Sequence, residues 1–396
     1  MIKKSFLKKL FLPLALFLAL VNLVSVQSIH LRNIFQTNAL SKGVDYTGFF
    51  QNAELFSVAI FALLIWSVRK VNFRKIFYST LLLVALLLIG SVLMGDTKIS
   101  CFITGIFCSQ LLLFIGWAYV NQIFNLSQGA KSYFALNFVV GLLLTPLSFI
   151  KMTELVTPIS SWSPLFVSLV ALGLIWACDR WIQSKLKDFK PDLSSVAPSG
   201  FAKTTLSLGL MISALNLAFF LISFSFKSGM VKNLVNVNDY AGMMGNYALM
   251  SGISILAFTL LSLWVGPKIL QTQGWRKAFL IAPALGLLAT LGVILKPVPI
   301  ASLIDMSLLK SLQYAWIFPL IQIAFLTYPL RLRVFIQACV VLVFAPLFEV
   351  AVPFIMMLGI DSWVEPLLSL VILGLMGWCA WWIGKKNRSL SQPVKE

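Results

Sequence analysis

Histidine occurs once, at His30, and only 13 of the 396 residues are acidic. A lone histidine leaves no histidine metal centre and no serine–histidine–aspartate triad to assemble. No cluster of acidic residues stands inside an apolar run. Paired carboxylates for acid–base work, or for holding a metal at membrane depth, are therefore lacking. These shortages point away from an enzyme, and no metal or cofactor is expected. Cysteine is sparse as well. Cys101, Cys108, Cys178, Cys339 and Cys379 all fall in or at the ends of apolar segments, with no paired spacing in a polar loop. They read as small core residues and not as disulfides or metal ligands. Charge is also scarce, at 11% of residues against 59% hydrophobic. A soluble domain could not hide that much apolar surface.

The apolar residues come in runs long enough to cross a hydrocarbon core, which takes about 20 helical residues. They do not alternate at short spacing as the strands of a membrane barrel do. Runs fall at about 8–27, 49–68, 74–95, 100–122, 132–150, 160–183, 203–226, 241–266, 276–297, 307–328, 334–358 and 361–384. The first is preceded by Lys3, Lys4, Lys8 and Lys9 but lacks a clear small-x-small cleavage site, so it reads as a span and not a signal peptide. The stretch Lys185–Gly200 is the longest without an apolar run. It divides the chain into residues 1–184, a linker at 185–202, and residues 203–396, with six spans on either side. The expected fold is an all-α membrane protein of 12 transmembrane helices in two six-helix halves, of major-facilitator type.

The net charge of +18 is explained by topology. With the termini and alternate loops on one side, that side holds 23 of the 31 basic residues and the other side 8. The positive-inside rule then places both termini and the linker in the cytoplasm of a multi-pass protein, in a bacterial inner membrane. The lipid bilayer is the expected partner, and no nucleic acid is needed to account for the charge. A short basic turn recurs after the second span (Arg69, Lys70, Arg74, Lys75) and after the eighth (Lys268, Arg276, Lys277), as a duplicated six-helix unit would leave it. A tight cytoplasmic loop would also collect such residues.

Ionisable groups at membrane depth are costly, so each is a functional candidate. Glu349, between Pro346 and Pro353 in the eleventh span, reads either as a proton or cation coupling site or as a cap within a proline-broken helix. Lys310 is expected near the outer end of the tenth span, Lys227 at the end of the seventh, and Arg32 just after the first. Taken singly, each reads as an interfacial anchor. Glu54 could pair with any of them.

Four stretches in order resemble the ATP/ADP antiporters of intracellular bacteria and plastids. Leu31-Arg32 matches the family's "LRD-x-KD". Trp117 through Gln122, followed by Gly129 through Phe134, is similar to "FW-x-FANQ … EAKRFY". Asn216-Leu217-Ala218 through Lys227 follows the spacing of "YNL-x-x-NLVE-x-x-WK", and continues to Asp239-Tyr240, Met244-Gly245-Asn246 and Gly274-Trp275-Arg276. Lys310-Ser311, Tyr314, Pro319, Gln322 and Ala324 fall in the register of "KSTKYSLFDPTKEMAY". The resemblance implies a secondary transporter working by alternating access. Its central cavity would be formed by spans 1, 4, 7 and 10, with Arg32, Lys227, Lys310, Tyr314, Gln322, Asn121 and Ser223 as substrate contacts and Glu349 as the coupling candidate.

The departures from the family pattern bear on cargo. Phe35-Gln36 stand where the family has Lys-Asp. Gly105 replaces an acidic residue of the fourth span, Ser223 a Glu of the seventh, and Phe318, Ile321 and Gln322 the Asp, Lys and Glu of the tenth. A triphosphate brings about four negative charges that a low-dielectric cavity must compensate. Three surviving cations suit a nucleotide-related or other anionic metabolite, moved by exchange or ion symport. The alternatives are a less polar or amphiphilic cargo, or a non-transporting membrane scaffold.

Overall fold

A computed structural model of the chain describes residues 4–41, 47–68, 72–124, 129, 132–142, 160–186, 205–215, 217–218, 221–222, 237–295, 299–344 and 364–386. Helix falls within each of the twelve expected runs. We number these α1 (Lys4–Ser41), α2 (Thr47–Val68), α3 (Phe73–Met94), α4 (Lys98–Asn121), α5 (Ser132–Leu142), α6 (Trp162–Leu186) and α7 (Thr205–Leu215). They continue with α8 (Val237–Thr272), α9 (Gly274–Leu295), α10 (Pro299–Phe325), α11 (Leu330–Phe344) and α12 (Val364–Lys386). No strand occurs among the described residues. Seven of the helices are long and apolar enough to cross a membrane. Their outward faces carry Leu12, Leu82, Leu93, Trp264 and Leu295, all largely exposed. Such a surface is stable against lipid and not against water.

Two of the helices that outrun their apolar runs change the place of an expected cation. α1 spans 38 residues and continues through Ser41, so Arg32 lies inside the helix and not in a loop after it. Its polar continuation is held by packing: Leu31, Phe35 and Ala39 are buried on one side, and Ser28 and His30 are buried with them. α10 begins at Pro299, eight residues before the expected run. Lys310 therefore stands eleven residues into the helix and not at its outer end. Hydropathy marks the apolar part of a helix, and a helix extends wherever neighbours bury its polar side chains.

The chain forms two compact units. Unit 1 holds Met1–Asn125, Ile150–Ser194 and Leu330–Val343; unit 2 holds Leu126–Phe149, Ser195–Pro329 and Phe344–Glu396. Most of α11 thus folds with α1–α4 and α6, and α5 folds with α8–α10 and α12. In unit 1, α1 packs along α6 and α4, and the start of α11 packs on the C-terminal half of α4. The side of α4 is smooth where Val21 of α1 lies across Gly116, at 2.8 Å from the place a Cβ would occupy. In unit 2, α9 packs on α12 and α8 on α10. Phe134 of α5 lies tilted against Trp316, at 6.0 Å between ring centres, and covers Gly266 of α8.

Candidate functional site

The fourth helix of each sequence half is broken in the middle by a π-turn, at Ile103–Cys108 in α4 and at Leu312–Ile317 in α10. Such a turn moves carbonyls off the α-helical ladder, and these must find donors elsewhere inside a membrane. In α4, the Thr104 carbonyl accepts from Ser28 of α1, and the Ser109 carbonyl accepts from Ser25 at 3.4 Å. The Ser109 hydroxyl turns back to the Gly105 carbonyl at 2.8 Å. In α10, the Tyr314 carbonyl accepts from the Asn137 amide of α5 at 2.8 Å. Trp316 donates its indole N–H to the Ala278 carbonyl of α9, also at 2.8 Å.

Each of these two π-turns has one of the expected cations beside it, whereas a third, at Cys339–Phe344 in α11, has none within it. Ser25, Ser28 and Arg32 follow at spacings of three and four, which places them on one stripe of α1. The stem of Arg32 lies directly across Gly105: a Cβ there would sit 2.0 Å from Arg32 Cδ and 2.8 Å from Cγ. Only glycine leaves room for this side chain. The residue that replaces the family's acidic group is therefore the residue that seats Arg32. Arg32 is half-buried, and its own carbonyl accepts from the Cys101 thiol at 4.0 Å. In unit 2, Lys310 is half-buried in the last turn before the second π-turn. Tyr314 follows within that turn with 46% of its surface exposed, while Gln322, two turns on, is fully buried.

Asn121 has a different setting. It ends α4, fully buried, and its side-chain amide donates to Gln337 Oε1 of α11 at 2.6 Å. Its carbonyl accepts from Arg333, which also donates to the Phe124 carbonyl at 3.1 Å. Arg333, only 6% exposed, thereby caps the carbonyl end of α4, where the helix dipole is negative. In the sequence Arg333 reads as one more topological charge, and nothing in its local pattern marks it as buried. Asp179 is also missed by spacing alone. It accepts from Tyr119 at 2.6 Å, from Tyr78, and from Gln183 at 3.4 Å. Tyr119 belongs to the Trp117–Gln122 stretch, so that stretch helps to build a buried polar joint between α3, α4 and α6. Ser223, Lys227 and Glu349 lie outside the described residues.

The architecture has well-covered counterparts. The human organic anion transporter MFSD10 (TETRAN) superposes with a TM-score of 0.66 at 14% identity, covering 95% of this chain and 98% of that one. The proton:xylose symporter XylE gives 0.64 at 16% identity, with 98% of each chain covered, and FucP in its outward conformation gives 0.62 at 14%. The chain shares its fold with these transporters.

Sequence comparison narrows this. The family model of the TLC ATP/ADP transporters matches residues 194–338. ADP,ATP carrier protein 1 of Chlamydia trachomatis is 23% identical over 203 residues, 44% of this chain and 38% of the carrier. ADP,ATP carrier protein 2, chloroplastic, of Arabidopsis thaliana is 25% identical over 194 residues, 43% of this chain and 31% of the carrier. The chain thus matches well under half the length of these curated relatives. Over residues 194–338, which hold the third and fourth of the motif stretches, the chain is similar to the TLC ATP/ADP transporters.

Proposed function

We propose that this protein is a secondary transporter for a nucleotide-related or other anionic metabolite, working by exchange or ion symport through alternating access, with both termini in the cytoplasm. The observation that carries the reading is Arg32 seated on Gly105 within a membrane-spanning helix. A cation at that depth is costly and persists where it serves a partner of opposite charge. Lys310, at the second π-turn, is the corresponding cation of unit 2. Lys227, Ser223, Tyr314 and Gln322 complete the proposed contacts, with Glu349 as a coupling candidate. Asn121 we assign to the joint between α4 and α11, where its side chain is engaged.

Relatives named as ADP,ATP carriers support a nucleotide as the first cargo to try. The proposed division of labour is electrostatic. Arg32 and Lys310 offset charge on the anion, and neither Gly105 nor Phe318 brings a carboxylate of its own. Intact cells expressing the chain should take up labelled ATP, ADP or NAD saturably, and external nucleotide should chase the label out. Protein shown to be inserted and helical, yet inactive with every anion in a competition panel, would contradict this reading and favour a less polar cargo.

A further inference from the structure

The α10 helix buries a carboxylate that the site above does not use. Asp305 is 1% exposed, and neither of its oxygens has a hydrogen-bond partner. The one polar group within reach of it among the described residues is the hydroxyl of Thr290 on α9, itself buried. Asp305 belongs to an apolar helical segment running Ile304–Phe325.

Among the described residues, no charged side chain acts on Asp305. Lys310 follows five residues later, about 140° around the helix and ~7.5 Å along it. On α9, Arg276 and Lys277 precede Thr290 by 13 or more residues, about 20 Å of helix. α8, the other helix packed on the start of α10, carries Asp239, Tyr240 and Tyr247 in its N-terminal part and Lys268 near its end. α12 carries Glu365 near its start and Lys385 and Lys386 at its end.

An ionised carboxylate in such a place would lose its hydration and gain, among the described residues, no counter-ion and at most the Thr290 hydroxyl as a donor, a cost of several kcal/mol. A neutral carboxylic acid removes most of that cost. We infer that Asp305 is a proton-binding site, occupied while α8, α9 and α10 close around it and emptied when a conformational change admits water to it. One proton joins one carboxyl oxygen and takes the group from a charge of −1 to 0. A membrane protein that moves between two such states couples its conformational cycle to the proton gradient. Coupling of this kind rests on the transporter reading for its purpose, while the proton site itself can be tested without any cargo.

The test is infrared spectroscopy of the purified full chain in liposomes at neutral pH, as wild type and as Asp305→Asn. The wild-type-minus-variant difference should carry the C=O stretch of a neutral, weakly bonded carboxylic acid. Thr290→Val should shift that band without removing it, which serves should the asparagine variant not fold. A carboxylate stretch in place of the acid band overturns the proposal, as does a band that appears only on removal of sodium. In transport, Asp305→Asn should keep exchange of bound cargo and lose accumulation driven by a pH gradient. Gradient-driven accumulation at the wild-type level would exclude Asp305 as the coupling group.

Discussion

Replacing Gly105 by alanine tests how Arg32 is held without touching its charge. The added methyl would fall 2.0 Å from Arg32 Cδ and 3.0 Å from Nε, well inside contact distance. The backbone of α4 is fixed by its neighbours, so the arginine stem has to move. Overpacking of this kind costs about 1–3 kcal/mol. Against it stands the better helix propensity of alanine, worth about 1 kcal/mol over glycine. In wild type the two should leave Gly105→Ala near neutral to ~2 kcal/mol destabilising. In an Arg32→Ala background the stem is gone, only the propensity term remains, and the same substitution should stabilise. The coupling between the positions is then about 1–3 kcal/mol, the range expected of residues in direct contact. Thermal unfolding of the four proteins in one detergent reads it as a change of sign in the effect of Gly105→Ala. Transport should follow: Gly105→Ala should weaken apparent cargo affinity nearly as much as Arg32→Ala, and the double variant should be no worse than either. Equal effects of Gly105→Ala in both backgrounds would refute the packing argument.

Arg333→Ala should lower stability by about 2–3 kcal/mol, because the carbonyl end of α4 loses a charged donor inside the protein; a wild-type unfolding midpoint would show the capping to be dispensable. Asp179→Ala should cost about 3 kcal/mol, since the buried Tyr119 hydroxyl is left without its acceptor, and Asp179→Asn should recover part of the loss. Gly274 adopts φ 77° at the start of α9, and Gly274→Ala should destabilise by about 1–2 kcal/mol, read as a lower unfolding midpoint. Lys227→Glu should abolish uptake while leaving the protein inserted and helical; normal uptake by that variant would remove Lys227 from the proposed contacts.

The sequence is most informative where the physics is local. Apolar runs against a bilayer announce the helices, and each expected run contains one. It is less informative where burial depends on a neighbour. α1 and α10 outrun their hydropathy because Ser28, Arg32 and Asp305 are covered by other helices, which no window along one strand of sequence can see. Arg333 reads as an ordinary loop-side charge until α4 and α11 are brought together, and Asp179, within the sixth run, is not singled out until α3, α4 and α6 are. The association of α5 with unit 2 and of most of α11 with unit 1 is likewise invisible to a count of spans. For the site, Arg32 and Lys310 are legible as motif positions, while taken singly they read as interfacial anchors and not as charges inside a helix. Their placement at two π-turns is not legible, since neither Gly105 nor Tyr314 signals the extra residue in its turn.

The central claim is that this chain carries an anion with the help of Arg32. The most direct measurement is counterflow of labelled ADP into liposomes holding the purified protein and loaded with unlabelled ADP, for wild type and Arg32→Ala. Saturable counterflow in wild type, lost or strongly weakened in the variant, is the predicted result. Equal counterflow in both, or none in wild type with ADP and a panel of other anions, would contradict the account.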